Sequence, residues 1–83
     1  MAAVKVHIVI SGQVQGVGFR LAARNKMREL GIEGRVENLA DGKVEAVFAG
    51  EPREIRKMLR WCKLGPPLAN VTGVEVVKDK FWC

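Results

Sequence analysis

The sequence predicts an α+β fold in which an antiparallel sheet carries two helices on one face. Two observations lead to this fold class. The spacing of apolar residues switches between period two and a helical period in the order strand, helix, strand, strand, helix, strand, and an Asp-Gly pair lies between the two consecutive strands. A length of 83 residues suits one domain, which we expect to span residues 1–83.

The first strand and the first helix differ clearly in period. In the first strand, apolar residues occupy every second position: Val4, Val6, Ile8 and Ile10. In the first helix, predicted over residues 19–30, the apolar positions lie three or four residues apart: Phe19, Ala23, Met27 and Leu30. Gly31 is suited to end this helix, because glycine readily adopts the left-handed conformation of a C-terminal cap.

A hairpin and a second helix complete the chain. Strands are predicted over residues 35–39 and 43–49, and the Asp-Gly pair between them is a strong hairpin signal. The second helix begins near Pro52 and has an apolar stripe of Ile55, Met58, Leu59 and Cys62. Gly65-Pro66-Pro67 ends it, since proline cannot continue the helical hydrogen bonds. A strand over residues 71–77 follows, and residues 80–82 are expected to add a short fifth strand.

The resulting order, βαββαβ, is that of the ferredoxin-like sandwich. The connection between its first strand and first helix contains the most informative segment, Gly12-Gln13-Val14-Gln15-Gly16-Val17-Gly18-Phe19-Arg20. Gly16 and Gly18 can adopt backbone angles closed to other residues, so that consecutive N–H groups turn toward one point. The helix start adds partial positive charge there, and Arg20 can donate two parallel hydrogen bonds to one anion. The segment is therefore suited to bind phosphate.

Two other phosphate motifs do not fit this segment. The phosphate loop of nucleotide hydrolases requires Gly-Lys-Ser/Thr after its glycines, and the dinucleotide fingerprint requires a third glycine where Leu21 stands. The segment instead resembles the signature of the acylphosphatases, whose glycine-rich loop and arginine bind the phosphate of a carboxylic-phosphoric anhydride. The stretch from Gly34 to Glu45 matches the hairpin of the same family, so the resemblance spans nearly the whole chain. Arg35 departs from the aromatic residue usual at its position.

The resemblance implies hydrolysis of small acylphosphates to a carboxylate and inorganic phosphate. It implies Arg20 and Asn38 as catalytic residues, with Asn38 orienting the attacking water, since an amide both donates and accepts hydrogen bonds. The activated substrate needs little general-acid help, so positioning and electrostatics should dominate. The implied phosphate-binding loop consists of Gln15, Gly16, Val17, Gly18, Phe19 and Arg20.

Other functions stay open at this point. A phosphate-sensing or regulatory domain would keep the loop without turnover. A nucleic-acid-binding module would use the net charge of +5, although no stretch resembles the aromatic-rich motif of RNA-recognition sheets. Among other candidates for acid–base chemistry, we interpret His7 as a structural histidine and Glu37 and Glu45 as solvent-facing strand residues.

Neither a cofactor nor a metal is expected, because one histidine and two distant cysteines, Cys62 and Cys83, form no convincing ligand cluster. We predict two free thiols, with a bridge between them as the alternative. The sequence shows neither a signal peptide nor an apolar run long enough to span a membrane. We therefore expect a cytoplasmic monomer that acts on a small molecule and binds neither membranes nor nucleic acid.

Overall fold

The computed structural model describes residues 3–82, and side chains are described for residues 3–77. Within that range the elements follow the predicted order, and the predicted ferredoxin-like fold class is confirmed. The elements are β1 (Ala3–Gln13), α1 (Phe19–Leu30), β2 (Glu33–Asn38), β3 (Val44–Gly50), α2 (Pro52–Leu64) and β4 (Asn70–Trp82). Neither α1 nor α2 is long and apolar enough to cross a membrane.

The sheet has the strand order β2-β3-β1-β4, and every neighbouring pair is antiparallel. β1 therefore lies in the middle, paired with β3 on one side and β4 on the other. Both helices cover the same face of the sheet, where the alternating apolar side chains of β1 are buried. The opposite face is open and carries the polar residues of β1, β2 and β3.

The core between the sheet and the helices is one apolar cluster. Its largest fully buried side chains include Phe19, Phe48, Ile8, Ile10 and Met58. Burying a side chain of this size contributes about 1.5–3 kcal/mol relative to leaving it exposed, so this cluster is the main source of stability. No polar or charged residue of the described chain is fully buried in it.

The helix boundaries agree with those expected from the sequence. α1 spans residues 19–30, and Gly31 caps its C-terminus in a left-handed conformation with φ 68°. The Gly31 N–H donates to the carbonyls of the last helical turn, which would otherwise lack partners. α2 begins at Pro52 and ends before Gly65, and its buried residues Ile55, Met58 and Cys62 belong to the predicted stripe.

The predicted hairpin is confirmed, with a three-residue loop. The Leu39 N–H donates to the Lys43 carbonyl (2.8 Å), and the Gly42 N–H donates to the Leu39 carbonyl (3.2 Å). Ala40 and Asp41 form a tight turn, and Gly42 follows them with φ 93°, a backbone angle that favours glycine. β2 begins at Glu33, two residues earlier than predicted. Its first three residues are all exposed, so no alternation of apolar and polar residues marks the start of the strand before Val36.

The last strand differs from the prediction. β4 runs without interruption over Asn70–Trp82, so the expected separate fifth strand at residues 80–82 is wrong. Charged residues interrupt the apolar alternation near the end of the chain, but backbone pairing with β1 does not depend on it. His7 pairs with Lys78 and Ile8 with Val76, which leaves Val77 as an extra residue in a β-bulge.

Gly34 allows β2 and β3 to approach each other closely. Its φ is 144°, and an added Cβ would lie 1.8 Å from the Val47 carbonyl oxygen of the paired strand. Both the backbone conformation and the space therefore exclude a side chain here.

We expect Gly34→Ala to lower the free energy of unfolding by about 2 kcal/mol or more, because the strands must separate or the backbone must rearrange. Urea unfolding followed by circular dichroism measures this change. Gly73→Ala is the matched control, since Gly73 lies in a strand with nothing within 4 Å of the added Cβ and without a positive φ. Equal stability changes in the two variants would contradict the clash.

Cys62 is a free, fully buried thiol on the inner face of α2. Burial in apolar surroundings raises the pKa of the Cys62 thiol to about 12, because the thiolate would lose its hydration. Cys83, the other half of the considered bridge, lies outside the described residues.

This raised pKa predicts a loss of stability at alkaline pH. The unfolded chain releases the Cys62 proton near pH 9, whereas the folded chain holds it up to about pH 12, so stability falls as the pH rises between these values. From pH 8 to pH 10 we expect about 1.4 kcal/mol less unfolding free energy from this group. Denaturant titrations should show a smaller fall in Cys62→Ala, and parallel pH profiles for the two proteins would overturn the prediction.

Candidate functional site

A cavity of about 230 Å³ lies where the start of α1 meets the end of β2. The loop after β1 and the first two turns of α1 form most of it, and the last residue of β2 completes it. Its lining residues are Val14, Gly16, Gly18, Phe19, Arg20, Leu21, Arg24 and Asn38. The fold thus brings two segments about twenty residues apart in sequence to one site.

The loop leaves backbone donors without partners at the start of α1. Gly18 caps the helix in a left-handed conformation (φ 80°), and no side chain caps it. Gly16 also has positive φ (73°), whereas Val17 between them does not, and such alternation turns neighbouring N–H groups toward one side. The Ala22 N–H makes the first helical bond, to the Gly18 carbonyl (3.0 Å), so the preceding N–H groups of α1 lack helical partners.

The charge of the cavity is positive. The first turn of α1 contains no acidic residue, and no carboxylate lines the cavity. Arg20 and Arg24 both line it, one helical turn apart on the same face of α1. The ion pairs found within residues 3–77 involve other cations. The helix dipole and both guanidinium groups therefore favour an anion here.

Phe19 fixes the position of the helix start. Its side chain is 1% exposed, and its ring lies 5.4 Å from that of Trp61 on α2, measured between centroids. Arg20 follows directly and is exposed. Burial of one residue thus places the next at the mouth of the cavity.

Asn38 reaches the cavity from the other side. It is the last residue of β2, it is exposed, and it lies opposite Val44 of β3. Its amide can both donate and accept hydrogen bonds, so it is able to hold a water molecule beside a bound anion.

Of the residues predicted from the sequence, the structure brings Gly16, Gly18, Phe19, Arg20 and Asn38 to this cavity. Val17 instead packs against the core, and the Gln15 side chain turns toward the hairpin. Sequence reasoning missed Val14, Leu21 and Arg24. The position of Arg24 four residues after Arg20 was the available signal for it, because helical side chains at that spacing share a face.

The alternative acid–base residues lie elsewhere. His7, Glu37 and Glu45 are on the open face of the sheet, and none lines the cavity. His7 Nε2 lies 2.8 Å from Glu45 Oε2, and Glu37 Oε1 lies 3.1 Å from Arg35 Nε. These pairs support their interpretation as structural and surface residues. Within the described part of the chain, no group of three or more His, Cys, Asp or Glu side chains is arranged to hold a metal ion.

The chain is similar to known proteins over most of its length. The acylphosphatase family model matches residues 6–80, which include both the loop and the hairpin. The chain belongs to the acylphosphatase family. An acylphosphatase of Roseiflexus sp. is 53% identical over 76 residues, which cover 92% of this chain and 82% of that relative.

Solved acylphosphatase structures have the same fold. The acylphosphatase from Bacillus subtilis superimposes with a TM-score of 0.89 at 30% identity, over 93% of this chain and 84% of the other. That from Coxiella burnetii gives a TM-score of 0.86 at 38% identity, over 98% of this chain and 82% of the other. The family resemblance and the fold expected from the sequence are therefore both confirmed.

The position of Arg24 in the cavity lining predicts that its charge strengthens phosphate binding. We expect Arg24→Ala to weaken binding of inorganic phosphate about fivefold, because it removes one exposed charge near the anion. Isothermal titration at low ionic strength measures this. Arg28→Ala is the control, since Arg28 lies one turn further along α1 and does not line the cavity. Equal affinities for the two variants would contradict a role of Arg24 in the site.

Proposed function

We propose that this chain hydrolyses the carboxyl–phosphate bond of small acylphosphates, releasing a carboxylate and inorganic phosphate. One observation carries the proposal: in a chain of the acylphosphatase family, unpartnered helix N–H groups, Arg20 and Asn38 line one cavity that contains no carboxylate. Such a cavity matches the charge of a phosphate and the need to position a neutral nucleophile.

In the proposed reaction, the loop from Gln15 to Arg20 holds the phosphate. Backbone N–H groups and the Arg20 guanidinium donate hydrogen bonds to its oxygens, which carry the charge that develops in the transition state. The fold fixes these donors before the reaction, so they stabilise that charge without rearrangement.

Asn38 orients a water molecule for attack on phosphorus, in line with the departing acyl oxygen. As the new P–O bond forms, the bond between phosphorus and the acyl oxygen breaks, and the carboxylate leaves with the electron pair. The water proton passes to a phosphoryl oxygen, because an amide is too weak a base to take it. No ionising enzyme group is required in this step, in agreement with the absence of His7, Glu37 and Glu45 from the cavity lining.

The reaction is proposed to proceed without a metal ion. Arg20, Arg24 and the helix N-terminus supply the positive charge that a magnesium ion provides in many other phosphoryl-transfer enzymes. We further propose that the chain acts as a single-domain, cytoplasmic monomer.

Binding of RNA to the sheet is not part of the proposal. RNA-recognition sheets present aromatic side chains for base stacking, whereas Phe48 points into the core and Trp61 lies on α2. On the open face, the carboxylates of Glu37 and Glu45 pair with Arg35 and His7, so these two basic side chains are not free to contact a phosphate backbone. A purely regulatory phosphate site is distinguished from the enzyme by turnover.

The first test is hydrolysis of benzoyl phosphate, followed by absorbance. We expect Arg20→Ala to lower kcat/KM by on the order of 10²–10³ and to weaken competitive inhibition by phosphate, because it removes a donor to the charged oxygens. Asn38→Ala should lower kcat strongly and leave inhibition by phosphate nearly unchanged, because the water and not the phosphate loses its partner.

His7→Gln is the matched control for these variants, since it removes an ionisable group that lies outside the cavity. It should retain wild-type kcat/KM. A folded wild-type protein that binds phosphate without turnover would favour the regulatory function, and full activity in both Arg20→Ala and Asn38→Ala would place the site elsewhere.

Metal removal provides a separate test. We expect kcat in excess EDTA to equal kcat in magnesium-containing buffer, because the described charges of the cavity suffice for phosphate binding. The metal-free reaction would be contradicted if turnover were lost in EDTA and restored by adding magnesium or manganese.

A further inference from the structure

The side chain of Gln15 connects the two halves of the site without lining the cavity. Its Nε2 donates a hydrogen bond of 2.7 Å to the Leu39 carbonyl and one of 2.9 Å to the Lys43 carbonyl. Gln15 opens the anion-binding loop, whereas Leu39 and Lys43 flank the hairpin turn. These contacts join segments that are 24 and 28 residues apart in sequence.

The two acceptors determine both the orientation and the chemistry of this amide. Both partners are carbonyl oxygens, so the NH₂ group must face them, and each of its hydrogens has one acceptor. A carboxylate of the same shape would repel both oxygens, and an apolar side chain would leave them without this donor. Among uncharged side chains, glutamine is the one that supplies two donors at this reach.

The contacts lie directly beside Asn38. Leu39 is the next residue in the chain, and its N–H pairs with the Lys43 carbonyl across the same hairpin. Asn38 is exposed and lies at the end of β2, an edge strand of the sheet, so the strand alone fixes its backbone on one side only. The Gln15 bonds hold the end of the hairpin against the loop that forms the anion-binding cavity.

We infer that Gln15 is a positioning residue for Asn38. The side-chain amide of Gln15 sets the distance between Asn38, which orients the water, and the bound phosphate. This inference rests on the proposed function. The inference gives the Gln15 side chain a role distinct from that of the loop backbone. The backbone N–H groups and Arg20 hold the phosphate, whereas the Gln15 side chain holds the hairpin beside Asn38.

The inference predicts a separation of binding from turnover. Gln15→Met keeps the length of the side chain and removes both hydrogen bonds, so the fold should be retained while Asn38 loses its fixed position. We expect kcat for benzoyl phosphate to fall by on the order of 10–100-fold, since a displacement of about 1 Å at a reacting group has this effect. The inhibition constant of inorganic phosphate should change by less than about threefold, because the cradle remains.

A double-mutant cycle distinguishes positioning from a general effect on the fold. In an Asn38→Ala background, Gln15→Met should cause little further loss of the residual kcat, because the residue it positions is already gone. Gln13→Ala, which alters an exposed glutamine two residues earlier, should leave kcat unchanged in both backgrounds. Thermal denaturation of each variant sets an assay temperature at which all are folded.

The outcomes separate this inference from the proposed function. Absence of turnover in the wild-type protein overturns the proposed function and the inference with it. A fully active Asn38→Ala leaves the hydrolysis in place and overturns the role of Asn38, and therefore the inference. If those tests succeed, equal losses from Gln15→Met in both backgrounds, or unchanged kcat in Gln15→Met, overturn the positioning role alone. Failure of Gln15→Met to fold where Gln13→Ala folds would also overturn it, since the side chain would then serve the fold.

Discussion

The burial of Phe19 is the constraint on which the site depends. An aromatic side chain at the first position of α1 is held beneath α2, in contact with Trp61, and it therefore fixes where the helix begins. A helix N-terminus stabilises a bound anion well only if its N–H groups are already in place. If the backbone had to reorganise on binding, the free energy of that change would offset the stabilisation. The apolar core thus gives rigidity to a polar loop that has few contacts of its own.

The site also opposes the stability of the fold in two ways. Gly16 and Gly18 lose more conformational entropy on folding than other residues would. A helix start without an acidic residue or a side-chain cap lacks the usual compensation for its dipole. The uncapped helix start leaves N–H donors and positive potential unsatisfied in the free protein. A bound anion supplies what is missing, so ligand binding and folding are thermodynamically linked.

Much of this arrangement could be predicted from local sequence. The period of apolar residues placed α1, α2 and the hairpin, and the glycine and arginine pattern identified the anion-binding loop. Arg24 was missed because its helical spacing from Arg20 shows that the two share a face but not that this face lines a cavity. The full length of β4 was missed because charged residues interrupt its apolar alternation. The strand continues past them because its backbone pairs with β1. The contacts of Gln15 depend on tertiary structure, which no local pattern reports.

The position of β1 in the sheet affects how the chain reaches its native state. β1 is the first strand in sequence, yet one of its neighbours is β4, the last. Contacts between such distant segments require closure of a long loop before they stabilise anything, and proteins rich in them fold slowly. During synthesis β1 can pair with β3 early, but its other edge stays open until β4 has emerged. The strand that leads into the anion-binding loop is therefore exposed to wrong pairing for most of the time that the chain takes to be made.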